Sequence, residues 1–444
     1  MGGAFSSASR TVSQLQAAGS DTEKEAAVKA LGELAGTGPG RREEIVKAGA
    51  VPLLVGLVQS GSLRAKELAA GALSHLALTP GNKTAIAEAG GIRAIVELMR
   101  NGVGESKGAA AAAVANLTSG CAANQTAVAK EGGISLLVQL MEDSLPQVQG
   151  WAAVALGNVV LQHKDNQNLA GKAGGIETLV RLAKSIDTRS GVEHAPKGSS
   201  AFPISCRRRA VEQPKGNLCP EKRKGWMVKT LSCLAYSHER NQQLLVMAGG
   251  VALLVNFVGS DPPQIKLEAA KALCNVLSGC TEAKASFSES GGELVLNKLA
   301  GDSKNGDIAA ALFANVCSGP EDLCPSVIAA GGVRTLINLL ASAGAKGQQY
   351  AATALCAMAE RDQENKTLIV EAGAIRPLVQ LTSKGTPHAA VWACKTLASL
   401  AEGNPGNKKL IDEAGGAGVI DRMNLLGNMT ITGLESETPK PRES

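Results

Sequence analysis

The chain has 444 residues and a net charge of +5, and only ten of its residues are aromatic. Its core must therefore be built from small and branched aliphatic side chains. Basic residues concentrate in one place: residues 187–225 hold nine Lys or Arg against four Asp or Glu, and the rest of the chain has 36 of each sign. No apolar run reaches the roughly 18–20 residues that span a bilayer, and the opening MGGAFSSASR lacks the apolar stretch of a secretion signal. We expect neither a membrane-spanning nor a secreted protein.

The first 20 residues are too short and too polar to fold alone, and we predict that residues 1–20 form a disordered segment. Their start matches the pattern for N-myristoylation at Gly2. One acyl chain binds membranes only marginally, and neither a nearby Cys nor a basic cluster reinforces it. Membrane association through the N-terminus stays open as an alternative.

A small element, Ala/Ser/Glu-Gly followed by Gly or Ala, recurs from residue 49 onward. The spacings between successive copies are 41, 42, 42, 75, 42, 40, 42 and 42 residues. A period near 42 is typical of helical repeats that each bury their apolar face against a neighbour, and it predicts a repeat array over residues 21–431. The first glycines of the copies are Gly49, Gly90, Gly132, Gly174, Gly249, Gly291, Gly331, Gly373 and Gly415.

Each period predicts three helices. An Asn eight residues before the glycine, for example Asn124 or Asn166, should cap a short first helix by accepting amide hydrogen bonds. The glycine should end that helix in the left-handed conformation. A second helix follows with apolar residues at helical spacing, as in VPLLVGLV and IRAIVELM, and a longer alanine-rich third helix closes the unit, as in QGWAAVALGNVV. The fold class is therefore all-α.

These motifs closely resemble the armadillo repeat. The resemblance implies a right-handed superhelical α-solenoid of about nine repeats, each with three helices in about 42 residues, and third helices lining the inner surface. HEAT repeats are the nearest competitor, but the glycine between the first two helices and the Leu-x-Asn near the end of the third favour armadillo. The family's role is binding other proteins, so the resemblance implies a non-enzymatic scaffold or adaptor.

We call the Asn of Leu-x-Asn the amide position, since in the armadillo family it binds the backbone of an extended partner. In this chain the position keeps Asn only in the middle repeats. We expect these amides to pair with a peptide, with the alternative that they cap their own helix ends. The residues are Asn116, Asn158, Asn275 and Asn315.

Seven residues before the amide position lies a ring position, which holds all three tryptophans of the chain. Seven residues are two helical turns, so ring and amide share a face. The rings could anchor a partner or could fill the seam with the adjacent repeat, and we weigh the two about equally. The members are Trp151, Trp226, Tyr350 and Trp392.

Four residues before the amide position, nuclear-import receptors of the importin-alpha type carry Trp. Here that lysine position instead holds Lys229, Lys271 and Lys395. The predicted groove therefore resembles that of catenins or vacuolar armadillo adaptors more than that of importin-alpha. We expect protein partners with extended acidic or phosphorylated segments. We expect no small-molecule substrate, and the near-neutral charge outside residues 187–225 disfavours nucleic acid.

The 75-residue spacing indicates an insertion between a second and a third helix, and we predict a disordered basic segment at 187–221. Two basic clusters twelve residues apart fit a bipartite nuclear-import signal, with a solvated basic loop and a splicing artefact as alternatives. We also predict a disordered tail at 432–444. The clusters are Arg207, Arg208, Arg209 and Lys222, Arg223, Lys224.

No residues suggest catalysis or a cofactor. The ten cysteines have no metal-ligand spacing and are expected to be reduced thiols that fill helical cores, and the five histidines lie in separate repeats. We expect no enzyme activity, no metal, no cofactor and a cytoplasmic protein, with membrane-associated or nuclear locations as alternatives. The alternative functions are a lipid-anchored vacuolar-type adaptor, a nuclear-transport cargo receptor, and a cytoskeletal or axonemal structural protein.

Overall fold

A computed structural model describes residues 6–189, 219–260, 262–319, 323–416 and residue 418. Throughout these ranges the backbone forms 27 α-helices and no strand. Short first helices, second helices and longer third helices follow one another in the predicted order. The all-α solenoid prediction is confirmed.

The chain divides into two compact units, one ending at Leu234 and one beginning at Ala235. The first unit opens with a helix pair and continues with four three-helix repeats, the last helix extending one residue into the second unit. Its helices are α1 (Ser7–Ala17), α2 (Asp21–Gly36), α3 (Pro39–Lys47), α4 (Ala50–Ser60), α5 (Leu63–Leu76), α6 (Pro80–Glu88), α7 (Gly91–Asn101), α8 (Glu105–Thr118), α9 (Ala122–Lys130), α10 (Gly133–Leu140), α11 (Pro146–Val160), α12 (Lys164–Lys172), α13 (Gly175–Arg189) and α14 (Pro220–Ala235).

The second unit contains four more repeats and the first helix of another, which ends in a π-helical turn at Asp412–Gly416. Its helices are α15 (Glu239–Met247), α16 (Gly250–Ser260), α17 (Pro263–Leu277), α18 (Thr281–Glu289), α19 (Gly292–Ala300), α20 (Gly306–Cys317), α21 (Cys324–Ala329), α22 (Gly332–Ser342), α23 (Ala345–Ala359), α24 (Gln363–Glu371), α25 (Ile375–Lys384), α26 (Pro387–Ala401) and α27 (Pro405–Ile411).

The repeat glycines end the first helices as predicted. All nine have φ between 68° and 91°, in the left-handed region that a Cβ makes unfavourable. At Gly90, for example, the backbone N–H donates to Ala87 O at 3.0 Å and closes the last turn of α6. The prediction that these glycines adopt the left-handed conformation is confirmed.

The recurrent Asn of the first helix does not cap it, so that prediction is wrong. In α12 the cap is His163, whose Nδ1 accepts the backbone N–H of Asn166 at 3.4 Å. Asn166 is 1% exposed, and its Nδ2 donates backward to Val159 O at 2.9 Å, at the end of α11. The side chain therefore satisfies an orphan carbonyl of the preceding third helix instead of its own amides.

The residue after this Asn ties the first helix of a repeat to the end of the third helix of the same repeat. In the first unit, Gln125 of α9 donates to Asn158 O at 2.8 Å at the end of α11, which belongs to the same repeat. In the second unit, Lys366 of α24 donates to Glu402 O at 3.0 Å, just past the end of α26. Lys366 is only 6% exposed, so a cation is buried where the helix dipole is negative. The equivalent donors are Lys83 to Ser119 O, Gln167 to Cys233 O, Gln242 to Asn275 O and Lys284 to Ser318 O.

The N-terminal segment corrects the predicted disorder of residues 1–20. Residues 7–17 form α1, which Ser6 caps by accepting the N–H of Ser9 at 3.2 Å. Its residues Ala8, Val12 and Leu15 are 0–6% exposed. Because these three apolar residues lie at helical spacing after a serine, the helix had a readable signal. Gly2 lies outside the described residues.

The insertion is shorter at both ends than the predicted 187–221. Helix α13 continues through Arg189, and α14 begins at Pro220. The second basic cluster therefore lies on a helix, where Lys224 is only 4% exposed and Arg223 donates to Gln149 Oε1 at 2.9 Å. A linear signal at Lys222, Arg223 and Lys224 does not fit this packing. Arg207, Arg208 and Arg209 and the tail 432–444 lie outside the described residues.

Across the described ranges, no single helix is long and apolar enough to span a bilayer. The helices Glu239–Met247 and Gly250–Gly259 meet the length and composition criteria only as a pair, and they are bent by 79° at their junction.

Two connections from a third helix to the next first helix place a non-glycine residue in the left-handed region, Gln162 at φ 55° and Ser237 at φ 49°. The same position holds Gly120, Gly319 and Gly403 in other repeats, all with positive φ. We expect Gln162→Gly to raise the free energy of unfolding by roughly 0.5–1 kcal/mol, because it relieves the Cβ clash. Urea unfolding followed by far-UV circular dichroism measures it. The matched control, Gln139→Gly within α10, should lower stability by a similar amount, and a loss in both variants would contradict the strain argument.

Candidate functional site

The candidate site is the face of the third helices that carries the amide, ring and lysine positions. In the first unit it involves α8, α11 and α14, and in the second α17, α20, α23 and α26.

The Asn side chains at the amide position connect neighbouring third helices. In the first unit, Asn116 Nδ2 donates to Ser74 O at 3.1 Å and to Ser74 Oγ at 2.9 Å, and Asn158 Nδ2 donates to Ala115 O at 2.9 Å. In the second unit, Asn315 Nδ2 donates to Cys274 O at 3.1 Å. These three Asn do not cap their own helix ends. Each instead donates to a backbone carbonyl of the preceding repeat, which fixes the register between repeats.

Exposure separates the four Asn residues. Asn116, Asn275 and Asn315 are each 5% exposed, whereas Asn158 is half-buried. A partner backbone can reach an amide only where part of it faces solvent. Of the four amides expected to pair with a partner peptide, that of Asn158 is therefore the most accessible.

A threonine three residues before the amide position makes the same type of link in two repeats that lack Asn there. Thr230 Oγ1 donates to Ala153 O at 2.7 Å in the first unit, and Thr396 Oγ1 donates to Ala352 O at 3.0 Å in the second. Sequence reasoning missed these residues because it compared single positions. The signal in the sequence was a pairing of two positions: Thr stands three residues before the amide position in the repeats where that position holds Cys233 or Ser399.

The ring position of the first unit holds a packed pair. The ring centroids of Trp151 and Trp226 lie 5.5 Å apart with planes inclined by 34°, a favourable tilted arrangement. Trp151 is 2% exposed and Trp226 is half-buried. The prediction of Trp151 as a partner anchor is thereby corrected, since its ring fills the seam between α11 and α14. Trp226 keeps a solvent-facing part.

A glycine makes room for Trp226. A Cβ on Gly150 of α11 would lie 3.2 Å from Trp226 Cζ3 and 3.3 Å from Arg223 Cγ. The indole of Trp226 and the aliphatic part of Arg223 therefore pack directly on the α11 backbone. The hydrogen bond from Arg223 to Gln149 links α14 to α11 beside this contact. Trp226 is held in one orientation from two sides.

The ring position of the second unit is built differently. Trp392 is half-buried, and Lys395 Nζ lies 4.6 Å from its ring centroid, within cation–π range. Tyr350, at the same position of α23, is also half-buried. Both rings retain partial solvent access.

Part of the predicted positive charge is neutralised. Lys271 Nζ lies 3.0 Å from Glu268 Oε1, and Arg64 Nη1 lies 2.6 Å from Glu67 Oε1, both as i,i+3 pairs. Lys229 and Lys395 are half-buried at the lysine position. Lys222 and Lys229 flank Trp226 along α14, and Lys395 lies beside Trp392 on α26.

The titratable groups of the described ranges include three buried thiols and a buried lysine. No cluster of three or more His, Cys, Asp or Glu residues in these ranges could hold a metal ion. Burial raises the pKa of the Cys274 and Cys356 thiols and raises that of Cys280 to about 11, so these thiols stay protonated and act as apolar filler. Burial also lowers the pKa of Lys83.

Comparisons with known proteins agree with this architecture. The model of the Armadillo/beta-catenin-like repeat matches residues 38–78, 79–119 and 238–278. No curated protein sequence matches the chain significantly.

Crystal structures of engineered proteins from the Northeast Structural Genomics Consortium are similar to the chain. One is 29% identical with a TM-score of 0.83, covering 98% of each chain. A second is 27% identical with a TM-score of 0.52, covering 62% of this chain and 98% of the other. A third, at 24% identity and a TM-score of 0.50, shows the fold alone. The repeated helices, the left-handed glycines and these matches together identify the chain as an armadillo-repeat protein.

Proposed function

We propose that this protein is a non-enzymatic scaffold or adaptor that binds extended acidic or phosphorylated protein segments along the face of its third helices. The observation that carries the proposal is a recurring arrangement of a half-buried ring between basic residues. Helix α14 holds Lys222, Trp226 and Lys229 at i, i+4 and i+7, and α26 holds His388, Trp392 and Lys395 at the same spacing. Residues at this spacing share one helix face.

A ring flanked by basic residues suits such partners because the ring and the lysines supply different components of the binding energy. Aromatic rings provide apolar contact area at low entropy cost, and lysines steer and hold carboxylates or phosphates. Lysines at the lysine position also argue against a nuclear-transport receptor, because the importin-alpha type would carry Trp there. A non-catalytic binding role is typical of armadillo solenoids.

The test is a pull-down from native lysate with mass spectrometry, using the triple variant Lys229→Glu, Lys271→Glu, Lys395→Glu. We expect it to lose acidic partners that the wild-type chain retains at moderate salt. The matched control carries the same charge reversals on exposed first-helix residues, at Lys47, Lys130 and Lys172. Equal loss in both variants, or loss in neither, would contradict the proposed binding face.

A further inference from the structure

The ring of Trp226 in the first unit packs against α11 and has a lysine on either side of it along α14. Trp226 packs on the buried Trp151 at 5.5 Å between centroids, and it lies against Gly150. Lys222 and Lys229, both half-buried, are four residues before and three residues after it on the same helix face. The exposed part of the indole is thus bordered on both sides along α14 by ammonium groups.

We infer that Trp226 is the aromatic anchor of the first unit and that it takes a large apolar side chain of a partner segment with Asp or Glu beside that side chain. This inference rests on the proposed function and names the recognition chemistry at one point of the face. The apolar side chain packs on the indole, and the carboxylates pair with Lys222 and Lys229. Trp151 is a positioning residue, since its own ring is out of reach of a partner.

The preformed geometry makes this site favourable for binding. A ring that already has one orientation loses little side-chain entropy when a partner binds. The Gly150 contact and the Arg223 bond to Gln149 restrict both the ring and its helix turn. At Trp392 the neighbouring helix α23 has Gln349 at the position of Gly150, and the Lys395 ammonium lies 4.6 Å from the ring centroid. The two tryptophans therefore differ in what their faces can accept.

The first step of the test is selection from a phage-displayed library of random peptides on the full chain. Peptides of about 12 residues suit it, because an extended chain covers about 3.3 Å per residue and neighbouring helices lie about 10 Å apart. We expect enriched peptides to contain Asp or Glu adjacent to Trp, Phe or Leu. Enrichment of peptides without acidic residues would overturn the inference.

The second step titrates one enriched peptide, labelled with fluorescein, by fluorescence anisotropy. Trp226→Ala should weaken its binding by about 30-fold or more, the effect of losing a central anchor. The double variant Lys222→Gln, Lys229→Gln should weaken binding about tenfold and reduce its salt dependence. Leu169→Ala, which removes a 45% exposed apolar side chain from the first helix α12 of the same unit, should leave the affinity unchanged.

The role of Trp151 has its own readout. Two indoles at this separation give an exciton signal in far-UV circular dichroism, which Trp151→Phe should remove. Affinity should stay within about threefold, because a ring still supports Trp226, whereas Trp151→Leu should weaken binding more than Trp151→Phe. Equal affinity in both variants would reduce Trp151 to a purely structural residue.

The outcomes distinguish this inference from the proposed function. If the wild-type chain enriches acidic peptides that Trp226→Ala binds equally well, the anchor assignment is wrong and the scaffold function stands. If the wild-type chain enriches no peptide, both are overturned. A cooperative urea unfolding transition of Trp226→Ala with a slope like that of the wild-type chain confirms that the variant is folded.

Discussion

Replacing Trp151 with alanine should lower the free energy of unfolding by about 3–5 kcal/mol, the largest single effect we expect in this chain. The ring is 2% exposed and contacts Trp226 across the seam between α11 and α14. Alanine would leave a cavity beneath Trp226 that surrounding helices could fill only by closing the seam. Because each repeat is stabilised mainly by its neighbours, the loss should destabilise the contact between two repeats rather than one helix.

The experiment compares urea unfolding of Trp151→Ala with that of Trp392→Ala. The second variant removes the same side chain from a half-buried site, and we expect a loss of only about 1 kcal/mol. Amide hydrogen exchange should locate the first loss in α11 and α14. A cost below about 1 kcal/mol for Trp151→Ala, or equal costs for the two variants, would contradict the distinction between the buried ring of Trp151 and the half-buried ring of Trp392.

The repeat could be predicted from the sequence because the signals that end and pattern its helices are local. A glycine in the left-handed region and an apolar stripe of period 3.6 depend on a few adjacent residues, so nine glycines located the end of each first helix. The same logic applied to the N-terminus would have found α1 from Ala8, Val12 and Leu15. That helix was missed because the segment lacks the repeat's glycine.

The site was only partly readable, because spacing identifies a helix face and not what covers it. The ring position correctly placed Trp151 and Trp226 on equivalent faces, yet one is buried and the other half-buried. Trp226 lies against Trp151 at 5.5 Å between ring centroids, and the missing Cβ of Gly150 lets the Trp226 ring approach α11. The cap predicted at Asn166 is wrong for a related reason: α12 begins two residues earlier with His163 as its cap, so the Asn166 side chain is inside the helix and donates to Val159 O.

Glu293 violates the core pattern of the second helices. It is the second residue of α19, where the equivalent residues in seven other repeats are Val or Ile with exposures of 0–8%. Glu293 is itself 6% exposed, and its Oε1 is buried without a hydrogen-bond partner. The equivalent residues are Val51, Ile92, Ile134, Ile176, Val251, Val333 and Ile375.

We expect Glu293→Val to raise the free energy of unfolding by about 1–3 kcal/mol, since it removes an unsatisfied buried oxygen and restores an apolar contact. One effect opposes this gain. A carboxylate in the first turn of a helix is favoured by the dipole by about 0.3–1 kcal/mol, which is smaller than the desolvation cost. The net change should therefore remain stabilising.

Urea unfolding of the full chain at neutral pH measures this change, with Glu293→Gln as the matched control. Glutamine removes the charge but keeps a buried polar group of the same size, so its gain should be well below that of valine. If Glu293→Val raises the free energy of unfolding and leaves peptide binding unchanged, the glutamate only destabilises the core of the second unit and has no part in binding. If valine instead destabilises the chain, Glu293 has a polar partner in the folded protein, and its neighbours in α18 and α20 are the place to locate it.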